Sequence, residues 1–160
     1  MTAGGDIMRD NDAAEAGPAP PPSIFDGLPM PPVAKTLGWT LRAIDPEAGT
    51  IEVAFMAGET FLNPTGAVQG GFVAAMLDDT MGPAVFAMGK GEIFAPTLDL
   101  HVCFLKPARP GNFVGRARVV SLGKSIAFVE GELFDADGEL VAKSTATARV
   151  LKASTLLGSR

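Results

Sequence analysis

Apolar and polar positions along the chain fall into stretches with different rhythms. From residue 71 to about 88, FVAAMLDDTMGPAVFAM is apolar almost all round, which predicts a helix buried on most sides rather than a surface helix. At about 1.5 Å per residue it would span roughly 27 Å. Gly82-Pro83 predicts a kink or an early end, because proline removes a backbone donor and crowds the preceding turn. Downstream, residues 97–105, 113–122, 125–135 and 140–151 are strand-like runs separated by the turn signals KPARPG, SLGKS and DADG. Upstream, residues 31–37 suit one short helix with prolines at its start. Residues 39–45 and 50–56 read as two strands reversing across PEAG, and 59–69 as a loop rich in breakers. Long strands in sequence after one buried helix imply an α+β fold, an antiparallel sheet wrapped around a long central helix. Residues 1–22 are small, acidic and proline-rich, ending in PAPPP; they predict a disordered tail before a single domain at 23–160.

The helix holds three polar side chains, Asp78, Asp79 and Thr80. Asp78 shares a face with Gly71, Ala74, Ala75 and Gly82, a stripe of small residues, while Val73, Leu77, Met81, Ala84 and Met88 make a greasier stripe suited to the sheet. Asp79 points about 100° further round. A carboxylate set into an apolar helix is costly. It serves either chemistry or an ion pair with an arginine across an oligomer interface. Gly70-Gly71 has two readings as well: close helix–sheet packing, or free N–H groups at a helix N-terminus aimed at an oxygen that becomes negative.

Composition narrows the choice. The net charge of −5 argues against a nucleic-acid partner, which needs clustered Lys and Arg. Charge is uneven: residues 1–96 carry four Lys/Arg against twelve Asp/Glu, and residues 97–160 nine against six, so an anionic ligand is drawn to the C-terminal part. Cys103 and His101 are the only residues of their kinds, which excludes a Cys/His zinc site and an internal disulfide and argues against Ser-His-Asp or Cys-His catalysis unless another base replaces the imidazole. No metal or cofactor is expected. Neither a secretory leader nor a membrane-spanning run is legible, so a cytoplasmic location is predicted. Only 19% of residues are charged and 47% are apolar, which predicts at least a homodimer, with a dimer of dimers favoured.

Asn63-Pro-Thr-Gly66-Ala-Val-Gln69-Gly70-Gly71, followed after six residues by Asp78, resembles the active-site signature N-x2-G-x2-H-G-G-x6-D of PaaI-like hotdog thioesterases. Thr97-Leu-Asp-Leu-His-Val-Cys-Phe104-Leu-Lys-Pro107-Ala108, Gly111, Gly123-Lys124 and Asp137-Gly138-Glu-Leu-Val-Ala142 resemble that family's later strands and hairpins. The likeness covers roughly residues 37–151.

The resemblance implies a hotdog fold and hydrolysis of an acyl-CoA thioester. Asp78 matches the acid that activates water or attacks the carbonyl, Gly70 the glycine whose N–H polarises it, and Asn63 a positioning asparagine. Thr97 stands where a Ser or Thr orients the water or the carboxylate. Loop and acid can come from different subunits. Gln69 departs from the family's histidine; glutamine hydrogen-bonds but does not titrate near neutral pH. That departure supports the alternative of a non-catalytic hotdog protein that binds acyl-CoA or acyl groups. Gly71, Lys124, Ser125 and Met76 are further substrate-binding candidates. Lys124 leads Lys106, Arg109, Arg118 and Lys143 for the CoA phosphates, because its turn also exposes N–H groups. Phe72, Met76, Met81 and Phe86 could line a pocket for an aryl or medium-chain acyl group. Strand alternation groups His101 with Thr97, Asp99 and Cys103, opposite Leu98, Leu100, Val102 and Phe104.

Overall fold

In the computed structural model, which describes residues 22–154, the proline pair Pro31-Pro32 opens α1 (Pro32–Leu37), and Gly38 closes it in the left-handed conformation at φ 67°. β1 (Thr40–Asp45) and β2 (Thr50–Ala57) form a hairpin whose turn is tied by Asp45 Oδ1, which accepts the N–H groups of Glu47 and Ala48 at 3.0 Å each. A 3-10 turn (Glu59–Phe61) and a loop lead into α2 (Gly70–Met88). Then follow β3 (Ile93–Phe94), β4 (Thr97–Phe104), β5 (Gly111–Leu122), β6 (Ile126–Phe134), β7 (Leu140–Arg149) and β8 (Leu151–Lys152). Six strands pair in the order β1-β2-β5-β6-β7-β4, all antiparallel, and α2 lies against one face of that sheet. β3 and β8 make a separate two-stranded ribbon, too short to leave a period-two pattern in the sequence.

The helix turns its greasy stripe to the sheet as expected. Val73, Leu77, Met81 and Ala84 are buried against Phe55, Phe113, Leu133 and Val141. Burying each large side chain contributes about 1.5–3 kcal/mol. Two sheet glycines permit the close approach: a β-carbon on Gly115 would collide with the Thr80 hydroxyl, and one on Gly131 with Ser144 Oγ and Met81. Thr80 itself is wholly buried and donates its hydroxyl to the Met76 carbonyl at 2.7 Å.

Two expectations need correction. First, α2 neither ends nor breaks at Gly82-Pro83; it runs unbroken for 19 residues. Pro83 cannot donate to the carbonyl four residues back, that of Asp79, and the Trp39 indole N–H fills the vacancy at 3.0 Å. Second, a bulge between Thr97 and Asp99 inserts Leu98 as an extra residue and reverses the alternation. Thr97, Leu100, Val102 and Phe104 face inward with Ala148, Ala146, Ser144 and Ala142, while Asp99, His101 and Cys103 face outward with Thr147, Thr145 and Lys143. Thr97 thereby moves to the helix side. β4 is an edge strand, paired with β7 alone among the described strands, and Leu98, Phe104 and the following Leu105 stand more than half exposed along it.

The predicted tail falls on residues 1–22, of which 1–21 lie outside the described residues.

Candidate active site

The loop before α2 is built around Asn63. Its Oδ1 accepts the Thr65 N–H at 2.9 Å, the Thr65 hydroxyl at 2.6 Å and the Ala67 N–H at 3.3 Å, and Gly66 takes φ 77°. The Asn63 oxygen is therefore spent on holding the loop, and its amide N–H groups are left to donate. The Gln69 N–H bonds to the Phe61 carbonyl and the Val68 N–H to the Ala108 carbonyl, both at 2.8 Å. Phe61 stacks on Phe72 at 4.1 Å with the rings 8° apart, which pins the loop to the first turn of α2.

Gln69 is the N-cap of α2, yet its side chain makes no capping bond and stands exposed. Its carbonyl accepts the N–H groups of Phe72 and Val73, while those of Gly70 and Gly71 find no backbone acceptor among the described residues. Two donors at the positive end of a helix thus face outward. A β-carbon at Gly70 would sit 3.2 Å from the Phe104 ring, so the ring would have to give way slightly. Gly71 is open.

Asp78 is half-buried on the β4 flank of α2, and the Thr97 hydroxyl donates to its Oδ1 at 2.7 Å. A donor of this kind fixes the orientation of a carboxylate. Asp79 lies on the other flank with Oδ2 inaccessible and without a hydrogen-bond partner. Burial, and then the adjacent Asp78 charge, push the Asp79 carboxyl above its ordinary value. Gly70 and Asp78 are eight residues apart on one helix, about 12 Å along its axis. The carboxylate and the N–H donors of one copy are therefore too far apart to touch one carbonyl group.

The other candidates divide. Lys124 and Ser125 are exposed in the β5–β6 turn, at the same end of the sheet as Thr97: Ile126 pairs with Arg149, whose N–H bonds to the Pro96 carbonyl. Lys124 has no ion-pair partner among the described residues, whereas Lys106, Arg118 and Lys143 are engaged by Glu139, Glu130 and Glu132. Met76 and Met81 are buried in the helix–sheet core at 0% and 1% exposure, which removes both from any ligand surface; Phe72 and Phe86 remain half-buried. A concavity of about 800 Å³ lies away from Asp78, lined by Glu52, Arg116, Arg118, Glu130, Glu132 and Lys143. Its acids and bases pair with one another and leave little net charge for a ligand.

Sequence reasoning missed the Leu98 bulge, the Trp39 bond and the orphan oxygen of Asp79. The Asn63 loop was within reach, because Asn-Pro-Thr-Gly is a turn signature in its own right.

A long helix cradled by an antiparallel sheet is the hotdog arrangement. The family model described as thioesterase superfamily matches residues 65–142, and the chain belongs to that family. Among solved structures, a candidate thioesterase related to phenylacetic acid degradation from Ralstonia eutropha JMP134 is 44% identical, with TM-score 0.74, covering 79% of this chain and 95% of that one. A candidate esterase from Saccharolobus solfataricus is 30% identical over 70% of this chain and 79% of its own. The PaaI protein of the E. coli phenylacetic acid degradation operon shares the fold at TM-score 0.66 and 21% identity, covering 74% of this chain and 83% of that one. Among the described residues no helix is long and apolar enough to cross a membrane.

Proposed function

We propose that this protein hydrolyses acyl-CoA thioesters, with aryl or medium-chain acyl groups, in a site assembled from two copies of the chain. The observation that carries the reading is the disposition of β4 beside α2. Its Thr97 end lies at Asp78, and its Phe104 end lies at Gly70. Antiparallel pairing of two β4 edges sets the Thr97 end of one copy against the Phe104 end of the other. Asp78 of one copy then faces the Gly70 N–H of the second, which closes the 12 Å gap. A homodimer so formed also covers Leu98, Phe104 and Leu105, and a dimer of dimers is the natural extension.

Chemically, the Gly70 N–H receives the carbonyl oxygen as negative charge develops there, a donor worth about 3–4 kcal/mol. Asp78, oriented by Thr97, either takes a proton from the water whose oxygen bonds to the carbonyl carbon, or bonds to that carbon itself to give an acyl-aspartyl anhydride that a water then hydrolyses. The C–S bond breaks and CoA leaves as a thiolate, which needs no strong acid. Asn63 holds the loop that presents Gly70, Gln69 hydrogen-bonds to substrate, and Lys124 with Ser125 meets the CoA phosphates.

A thiol-release assay with phenylacetyl-, benzoyl-, hexanoyl- and palmitoyl-CoA tests this reading. Turnover of at least one ester, lost in Asp78→Asn, supports it. Binding of CoA esters without turnover of any favours the non-catalytic acyl-CoA binder, the reading that the untitratable Gln69 keeps alive. Light scattering that finds an active monomer would sink the two-copy site.

A further inference from the structure

Phe104 is a large apolar side chain that the fold leaves in water beside the start of α2. It ends β4 on the inward face, opposite Ala142, and stands 56% exposed. The far end of its ring is directed at Gly70: a β-carbon there would lie 3.2 Å from Cζ and 3.3 Å from Cε1. The Gly70 N–H, which finds no backbone acceptor among the described residues, therefore opens beside an aromatic ring. Other rings along the helix are already engaged. Phe61 is buried and stacks on Phe72 at 4.1 Å, while Phe86, near the opposite end of α2, stacks on Phe25. Phe104 has no aromatic partner among the described residues. It forgoes the burial that holds Phe55 and Phe113 in the core.

Resting on the thioesterase reading, we propose that Phe104 selects the acyl group: its ring forms one wall of the acyl subsite and favours flat aromatic acyl groups over straight chains. In the two-copy site the thioester bridges Gly70 of one copy and Asp78 of the other. The antiparallel pairing that joins them sets the Phe104 end of one β4 against the Thr97 end of the second, so this ring lies where the two halves meet. A carbonyl oxygen that accepts from the Gly70 N–H at about 2.9 Å holds its acyl group alongside the ring. A benzoyl group is conjugated with its carbonyl, and ring and thioester share one plane. It packs on Phe104 offset or edge-on, an arrangement that adds about 2- to 12-fold in preference beyond the area buried. A hexanoyl chain gains the area alone and loses torsional freedom when it is held.

The test is the ratio of kcat/KM for benzoyl-CoA to that for hexanoyl-CoA, in wild type and in Phe104→Leu, which keeps an apolar side chain without the ring. The ratio is expected to fall about 3- to 10-fold in the variant. An unchanged ratio, with both esters losing equally, would overturn the proposal and leave Phe104 as packing at the β4 edge. Light scattering accompanies the assay, because the same residue lies on the edge through which the copies pair. Should Phe104→Leu fail to assemble, Phe104→Met takes its place with an unbranched apolar side chain. Assembly lost in both variants would be equally fatal, since it assigns the ring to the interface. Should the wild type hydrolyse no ester, the thioesterase reading fails on its own. Calorimetric dissociation constants for benzoyl-CoA and hexanoyl-CoA then decide the selection: their preference for benzoyl is expected to shrink in Phe104→Leu, and an unmoved preference sinks it.

Discussion

On the outer face of the sheet, three acids each have a base of a neighbouring strand within 3.0 Å; on α2, two carboxylates follow one another with no cation in the helix. Glu52 receives Arg116 at 2.8 Å, Glu130 receives Arg118 at 2.9 Å and Glu132 receives Lys143 at 3.0 Å. The first and third of these pairs lie in one row across the strands, since Glu52 opposes Arg116, Arg116 opposes Glu132 and Glu132 opposes Lys143. All six side chains remain at least partly in water, where such pairs contribute about 0–1 kcal/mol each. Asp78 has only a hydroxyl, and Asp79 has an oxygen with no partner. Where charge is cheap it has been neutralised, and where it is expensive it has been left standing.

The comparison can be broken from either side. The largest effect is expected for Asp78→Asn, which should cut thioester hydrolysis at least about 10²-fold while circular dichroism and Tm stay close to wild type. Loss of the fold in that variant would reassign Asp78 to structure. Next is Trp39→Phe, which keeps an aromatic ring against Phe25 but strips the Asp79 carbonyl of its donor. Urea unfolding should register a loss of about 1–3 kcal/mol. No loss would mean that another group, or water, caps Pro83's vacancy.

A smaller effect distinguishes the acids by pH. The folded-state value of Asp79 is raised above the ordinary 3.8, so its ionisation opposes folding. Below that value the penalty is absent. It grows as pH rises from the ordinary value to the shifted one and then stays level. The stability of Asp79→Asn relative to wild type should accordingly improve from pH 3.5 upward and flatten near neutrality, and a flat difference across the range would show that Asp79 is ordinarily solvated. Smallest of all, Glu130→Gln should change stability by no more than about 0.5 kcal/mol, and less in high salt. A larger loss there would erase the distinction between the two regions.

Much of this organisation could be read from sequence. The long apolar run, the four later strands and the spacing from Asn63 to Asp78 all carry local periodicity or turn chemistry, and the folded chain keeps them. What escaped depends on partners distant in sequence. The carbonyl that Pro83 leaves without a donor is satisfied by Trp39, more than forty positions earlier. The inward turn of Thr97 is decided by one inserted residue, Leu98, whose register against β7 no alternation rule reveals. Met76 looked available because an all-round apolar helix does not declare which of its residues meet the sheet. Lys106, Arg118 and Lys143 looked free because their glutamates arrive from neighbouring strands. Which flank of the helix Asp78 and Asp79 each occupy likewise requires knowing where the sheet lies.

Trp39 is the sole tryptophan, and the chain contains no tyrosine. Its indole is bonded to the backbone of the helix that carries Asp78, at the level of Asp79. The intrinsic fluorescence of the protein is therefore a single-site signal from that helix, free of tyrosine background. A shift in emission maximum on adding a CoA ester, or on crossing the titration of Asp79, reports a local event without any label.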